Sequence, residues 1–288
     1  MYFALLLGAC LGQLLISVPE QVYYLPRRGR EPSLLLENVT GLVAAAGDPS
    51  LGVLYVCANA SIVEYTVDYH SQTVTTPGQV VYTGQSPSSP TLDHWGNLYF
   101  LEPTLNTVNV LYSSASFNHT FHVLYSSTPS VNAPSVLALD DFFDFLYWGN
   151  LAPVANSSVE RALADPLPGL GVSQVWAGYR GKGVDGLAIA GNWVYISSEG
   201  LVYRANKRNP KHWETLDSGN QTRVLAAVSE DVYLLDTVSK AVYTHKDHRR
   251  ARKEDTEWGL WHVLHIAALP VRNWAKGLYL SAVALGLS

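Results

Sequence analysis

Cysteine is almost missing from this chain. Cys10 and Cys57 are the only two in 288 residues, and the single methionine is residue 1. So few thiols exclude a disulfide-built scaffold and any zinc site of paired C-x-x-C type. Charge is also scarce, at 15% Asp, Glu, Lys and Arg, with a formal net charge of −5 and a pI near 6.0. With no excess of Lys and Arg to neutralise phosphates, nucleic acid is not an expected partner. No window carries a sustained 3.6-residue apolar stripe, which argues against helical repeats. G-x-S-x-G and H-E-x-x-H are absent. GYRGKGVDG, ending at Gly186, has glycines but lacks the Lys-Ser/Thr ending of a phosphate cradle, and it reads as a loop between repeats.

What the chain does have is apolar and aromatic material. Hydrophobic residues make up 48%, with 17 Tyr and 8 Trp, ample for the core of one large domain. From Tyr2 to Val18 no residue is charged. This run is shorter than the roughly 20 residues of a membrane-spanning helix. It reads as the apolar region of a secretory signal peptide, with cleavage expected after Gly12 or after Ser17, the alternatives being an uncleaved anchor or a buried strand. The later point gives a signal peptide over 1–17 and one domain over 18–288, with no membrane span after cleavage. N-x-S/T sequons at Asn38, Asn59, Asn118, Asn156 and Asn220 fit a secreted or lumenal glycoprotein. Cys10 lies in the expected leader. Cys57, inside the apolar VLYVCAN, is expected to be a buried small hydrophobe.

The organising feature is a repeat. An apolar residue, a tyrosine and a further apolar residue precede a polar turn at Tyr55, Tyr99, Tyr147, Tyr195, Tyr233 and Tyr279, spaced by 44, 48, 48, 38 and 46 residues. A period in the forties with several short strands per unit predicts the blades of a β-propeller. Ahead of each of the first five tyrosines lies a short run such as GLVAAAGD, SPTLD or GLAIAG, rich in the small residues that suit an innermost strand. After it come a third strand (SIVEYTVD, TVNVLYS, SSVERALA, GLVYRANK, KAVYTHKD) and a fourth (VVYTG, FHVLYS, SQVWAGY, WETLDS, LWHVLHI). After Tyr279 too few residues remain for two more strands. QVYYLPRR and PSLLLENV, near the N-terminus, match third and fourth strands. The expected fold is therefore all-β: a six-bladed β-propeller whose last blade is closed by N-terminal strands, which removes free sheet edges.

LDDFFDFLYWGN, beginning at Leu139, followed by SSVERALADP, resembles a repeat of the YWTD propellers of the low-density lipoprotein receptor family. Their pattern is an Asp, several residues, Leu-Tyr-Trp-Thr-Asp and then an Ile/Val-Glu-Arg-Ala strand. GDPSLGVLYVCAN and LDHWGNLYFLE fit its first half and are similar also to NHL-type repeats. Asn150 stands in place of the motif's last Asp. GYRGKGVDGLAIAGNWVYISSEGLVYR is similar to a blade of the gluconolactonase, strictosidine-synthase and yellow groups. In lactonase-type members an Asp of an Asp-Gly-Leu-Ala stretch helps to hold a divalent metal in the channel. The resemblance places Asp185 there, while the family's other ligands, a Glu and several Asn, have no clear match.

Five of the tyrosine strands run into a polar side chain: Asn59, Glu102, Asn150, Glu199 and Asp236. On one face of a propeller these would form a ring of oxygen donors suited to a hard cation, Ca²⁺ being the one cofactor in view. Alternatively each caps its own turn. Asp185 is the candidate metal ligand, or else a turn-forming Asp before Gly186. HKDHRRARKEDTEW, residues 245–258, is expected to be an exposed loop. Its Arg249, Arg250, Arg252 and Lys253 would contact an anionic glycan or acidic partner, form a processing site, or simply be solvated. His262 and His265 fall on opposite sides of a strand and are poor co-ligands. Trp258, Trp261 and Trp274 are expected to pack between blades. The leading expectation is a monomeric recognition module for an extracellular protein or glycan. The rival is a Ca²⁺-dependent hydrolase or lactonase using Asp185.

Overall fold

The computed structural model describes residues 14–26, 32–113, 119–126, 131–140, 142–151, 157–164, 174–181, 183–216, 222–228, 231–236, 242–246, 249–253 and 265–268. It is an all-β ring of six antiparallel sheets, each with four strands running from the centre to the rim, and the first has a short extra strand. The innermost strands, in ring order, are Leu42–Asp48, Ser88–Leu92, Pro134–Asp140, Gly186–Ala190, Thr222–Val228 and His265–Ala268. Each lies beside the next, and the last returns to the first. These six strands define blades 1 to 6.

The tyrosine rhythm marks the second strands: Val53–Ala58, Leu98–Glu102, Phe145–Asn150, Trp193–Ser198 and Asp231–Asp236. Tyr55, Tyr99, Tyr147, Tyr195 and Tyr233 are all buried there. Second strands are covered on both faces by neighbouring blades, so they read as continuous apolar runs rather than alternating ones. The hydrophobic core is accordingly divided into clusters between adjacent sheets. Tyr99, Leu101, Val108, Tyr125 and Trp148 form one between blades 2 and 3, where the Tyr125 and Trp148 rings stack with centroids 5.3 Å apart. Val136, Tyr147, Val184, Val194 and Ile196 form the next, between blades 3 and 4. Cys57 is buried between blades 1 and 2 with Tyr55, Leu98 and Phe100, as its apolar context predicts.

Ring closure differs from the sequence expectation in its details. Blade 6 takes three strands from the N-terminal end, Leu14–Val18, Glu20–Leu25 and Ser33–Val39, around the innermost His265–Ala268. Leu14–Val18 occupies the second position and pairs on both sides, Ile16 with Tyr23 and with Ile266. Leu15, Ile16 and Ser17 are fully buried. Residues 14–17 of the segment read as a leader are therefore strand, and of the two expected cleavage points only the one after Gly12 spares it. A second strand covered on both faces and a leader's apolar region look alike in sequence, because both are short uninterrupted apolar runs. The segment around Tyr279, expected in that position, lies outside the described residues, as do residues 1–13.

Two further assignments shift with it. LWHVLHI was expected to close blade 5, yet its His265 and Ile266 belong to blade 6. The fourth strand of blade 5 is Arg249–Lys253, inside the basic run expected to be loop, and it pairs with Val242–Lys246. His262, Trp258, Trp261 and Trp274 lie outside the described residues.

Candidate functional site

The expected ring of oxygen donors divides by register. Glu102 and Asn150 are the last residues of their second strands, three positions after the tyrosine, and both are buried. Asn59 and Glu199 come one residue later, in exposed turns at φ 48° and 51°. That single step carries the side chain out of the strand. Asp236 ends its strand as Glu102 does.

Glu102 and Asn150 perform one task on successive blades, the capping alternative. Glu102 accepts from the Tyr82 hydroxyl at 3.1 Å, the Gln85 N–H at 3.1 Å and the Ser86 N–H at 2.8 Å, which fixes the crossing from blade 1 to blade 2. Burial, then the charge of Glu102, pushes the Tyr82 phenol up to about 12. Asn150 accepts the Asn132 N–H at 3.1 Å in the crossing from blade 2 to blade 3 and donates to Ser158 at 2.9 Å. Asn59 donates to the Thr40 carbonyl at 2.7 Å. Asn38 and Asn59 are exposed, as a glycan acceptor must be; Asn118, Asn156 and Asn220 lie outside the described residues.

Asp185 immediately precedes the innermost strand of blade 4 and is half-buried. Its carboxylate accepts the Ser197 hydroxyl at 2.7 Å, its N–H donates to the Ser197 carbonyl at 3.0 Å, and its carbonyl accepts Nε of Arg223 at 2.6 Å. The Arg223 guanidinium thus holds the Asp185 backbone, and the carboxylate is engaged by Ser197, the arrangement of a structural turn. Among the described residues no three His, Cys, Asp or Glu side chains are placed to share a metal ion.

A different set of residues builds a face. Asp48 and Asp140 end the innermost strands of blades 1 and 3, and Asp93 follows that of blade 2; all three are buried. Each holds the turn that leads into the tyrosine strand. Asp48 accepts the N–H groups of Ser50 at 2.7 Å and Leu51 at 3.3 Å. Asp93 accepts the N–H groups of Trp95 and Asn97, each at 2.8 Å, and the Tyr99 hydroxyl at 3.1 Å. Burial nevertheless keeps its carboxyl above the usual range against these donors. The Asp140 carbonyl accepts the Phe143 N–H at 3.1 Å, and its carboxylate meets the Lys207 ammonium of blade 4 at 2.5 Å.

Two or three residues beyond each aspartate stands an exposed apolar side chain: Leu51, Trp95 and Phe143, the last beside Phe142. Trp95 is 70% and Phe142 66% exposed. Antiparallel pairing from the centre outwards places all first-to-second-strand turns on one face of the ring. Blades 1, 2 and 3 therefore present Leu51, Trp95 and the Phe142–Phe143 pair side by side. Leu51 reaches the next blade: its Cδ1 would lie 2.6 Å from a Cβ at Gly96, whose φ of +86° suits glycine. The Phe142 and Phe143 rings meet edge to face at 4.7 Å, and Lys207 Nζ lies 5.7 Å from the Phe143 ring centre. Opposite, among the described residues, the exposed large apolar side chains are the aliphatic Val43, Leu105 and Leu151. Sequence reasoning registered the recurrent Asp only as part of a resemblance; the signal it missed is the apolar residue two or three positions later.

No family model and no curated protein matches the sequence. Among solved structures the chain is similar to one from the crystal structure of a nidogen/laminin complex, with TM-score 0.74 and 16% identity over 90% of this chain and 98% of that one. It is also similar to virginiamycin B lyase from Staphylococcus aureus, with TM-score 0.58 and 12% identity over 88% of each. At such identities the likeness establishes the propeller fold that the strand order describes.

Proposed function

We propose that this chain is a recognition module that binds a protein partner through the first-to-second-strand turns of blades 1 to 3. The observation that carries the reading is the exposure of Leu51, Trp95, Phe142 and Phe143 on consecutive blades, each turn anchored by a buried aspartate. Exposed aromatics cost solvation, and clustered on one face of a rigid scaffold they have the composition of a binding hot spot. Rigid turns reduce the entropy lost on binding. The structural neighbour from the nidogen/laminin complex, itself solved within a protein assembly, agrees in kind. The sequons and the leader-like N-terminus support a secreted or lumenal glycoprotein as the setting.

The test compares the parent with a Trp95→Ser, Phe142→Ser, Phe143→Ser variant by cross-linking and affinity capture from the native source. The variant should melt with the parent and lose the captured partner. A variant that retains the partner overturns the reading. Equilibrium dialysis against Ca²⁺, with Asp185→Ala beside the parent, checks the rival: a stoichiometric ion lost with Asp185 supports the metal-dependent hydrolase instead.

A further inference from the structure

Charge is divided around the ring in a way the net value conceals. Residues 31–160 contain eleven Asp and Glu and not one Lys or Arg. Blades 1 and 2, over residues 42–126, thus hold five acids and no cation, whereas residues 186–253, blades 4 and 5, hold eleven Lys and Arg against seven Asp and Glu. The cations concentrate at the rim. The fourth strand of blade 4, Asn209–Leu216, and the turn before it carry Arg208, Lys211 and His212, all exposed, while Glu214 is taken by Arg204 at 2.8 Å. The fourth strand of blade 5, Arg249–Lys253, is basic at four of its five positions and pairs with Val242–Lys246, which ends in Lys246. Both are the outermost strands of their sheets.

We propose that the rim of blades 4 and 5 is a binding strip for a linear sulfated polysaccharide. Independent of the apolar face, it rests on this placement alone. Alternate positions of a strand share a face about 6.7 Å apart. In Arg249–Lys253 a register shift between the Thr244 and Lys246 pairings interrupts that alternation, so its four cations are placed only along the strand, an edge that pairs with no other strand among the described residues. Edge strands often carry Lys to discourage sheet-to-sheet pairing. That role needs one or two charges, not a run that continues onto a second blade. A rim lined with cations suits a chain bearing anions at intervals, each contact releasing counterions. Single-stranded nucleic acid, the other linear polyanion, would stack its bases on aromatic rings as well as pair its phosphates with cations, and the competition below separates the two.

Heparin chromatography tests the strip. The parent, despite its net charge of −5, should be retained at about 0.15 M NaCl. An Arg249→Ser, Arg250→Ser, Arg252→Ser, Lys253→Ser variant should flow through, with affinity lowered at least ~10-fold. Arg208→Ser with Lys211→Ser, at exposed positions that leave the fold intact, should elute at lower salt than the parent. Neither desulfated heparin nor single-stranded RNA should displace the parent. The proposal fails if the parent is not retained, if the blade 4 variant elutes with the parent, or if either competitor matches heparin. Should the quadruple variant not fold, the blade 4 variant decides alone.

Discussion

Lys207 and Asp140 form an ion pair across the boundary between blades 3 and 4, their nitrogen and oxygen 2.5 Å apart and the residues 7% and 4% exposed. Lys207 enters from the turn before the fourth strand of blade 4, and Asp140 ends the innermost strand of blade 3. Removing one partner strands the other charge in the interior. Lys207→Met should therefore cost about 3–5 kcal/mol, read by urea denaturation. Pairing it with Asp140→Leu should recover much of the loss. A single variant as stable as the parent would show that the pair is solvated in solution.

Glu102 supplies acceptors to three groups of the crossing from blade 1 to blade 2. Glu102→Ala removes the charged acceptor of the Gln85 and Ser86 N–H groups and of the Tyr82 hydroxyl and should cost about 1.5–3 kcal/mol. Gly84→Ala attacks the same joint differently, since a Cβ there meets the Glu102 carboxylate and the Tyr82 ring. Both variants should lower the urea midpoint with an unchanged slope.

Glu160 gives a pH dependence of defined sign. It is 1% exposed, its Oε2 has no hydrogen-bond partner, and burial raises its carboxyl pKa despite a hydrogen bond with Ser158. The folded state therefore holds this proton to higher pH than the unfolded state, whose ordinary value is 4.5. Below that value both states are protonated and no penalty exists; stability falls as pH rises from there through the raised value. Glu160→Gln should match the parent near pH 4 and exceed it at pH 7. Equal differences in thermal midpoint at both values would count against the assignment.

The Leu14–Val18 strand makes a sharp distinction between two truncations. A chain beginning at residue 13 keeps the second strand of blade 6 and should melt with the parent. One beginning at residue 18 loses the strand paired with both Glu20–Leu25 and His265–Ala268 and should not fold cooperatively. Ile16→Asp, a charge placed at a fully buried position, should mimic the longer truncation. Circular dichroism melts of the three proteins decide the point.

The blades were readable because Tyr55, Tyr99, Tyr147, Tyr195 and Tyr233 each mark a strand buried on both faces, and burial constrains residue type. Closure was readable only in principle. Leu15 takes the tyrosine's place in blade 6, so the strand lacks the mark that its five equivalents carry. The donor ring failed on register: Glu102 and Asn150 at one step, Asn59 and Glu199 at the next, serve different geometries that composition cannot separate. Lys207 was invisible because a lysine in a polar turn ordinarily faces water; only the approach of Asp140 from another blade buries it.

The placement of Leu14–Val18 also sets a timetable for biosynthesis. Its inner edge has no partner until His265–Ala268 has left the ribosome, the last-made of the described strands. At about 5–20 residues per second, that leaves an apolar strand edge waiting for on the order of ten seconds or more. Throughout that interval the growing polypeptide exposes the kind of surface that chaperones recognise and that neighbouring nascent chains can pair with.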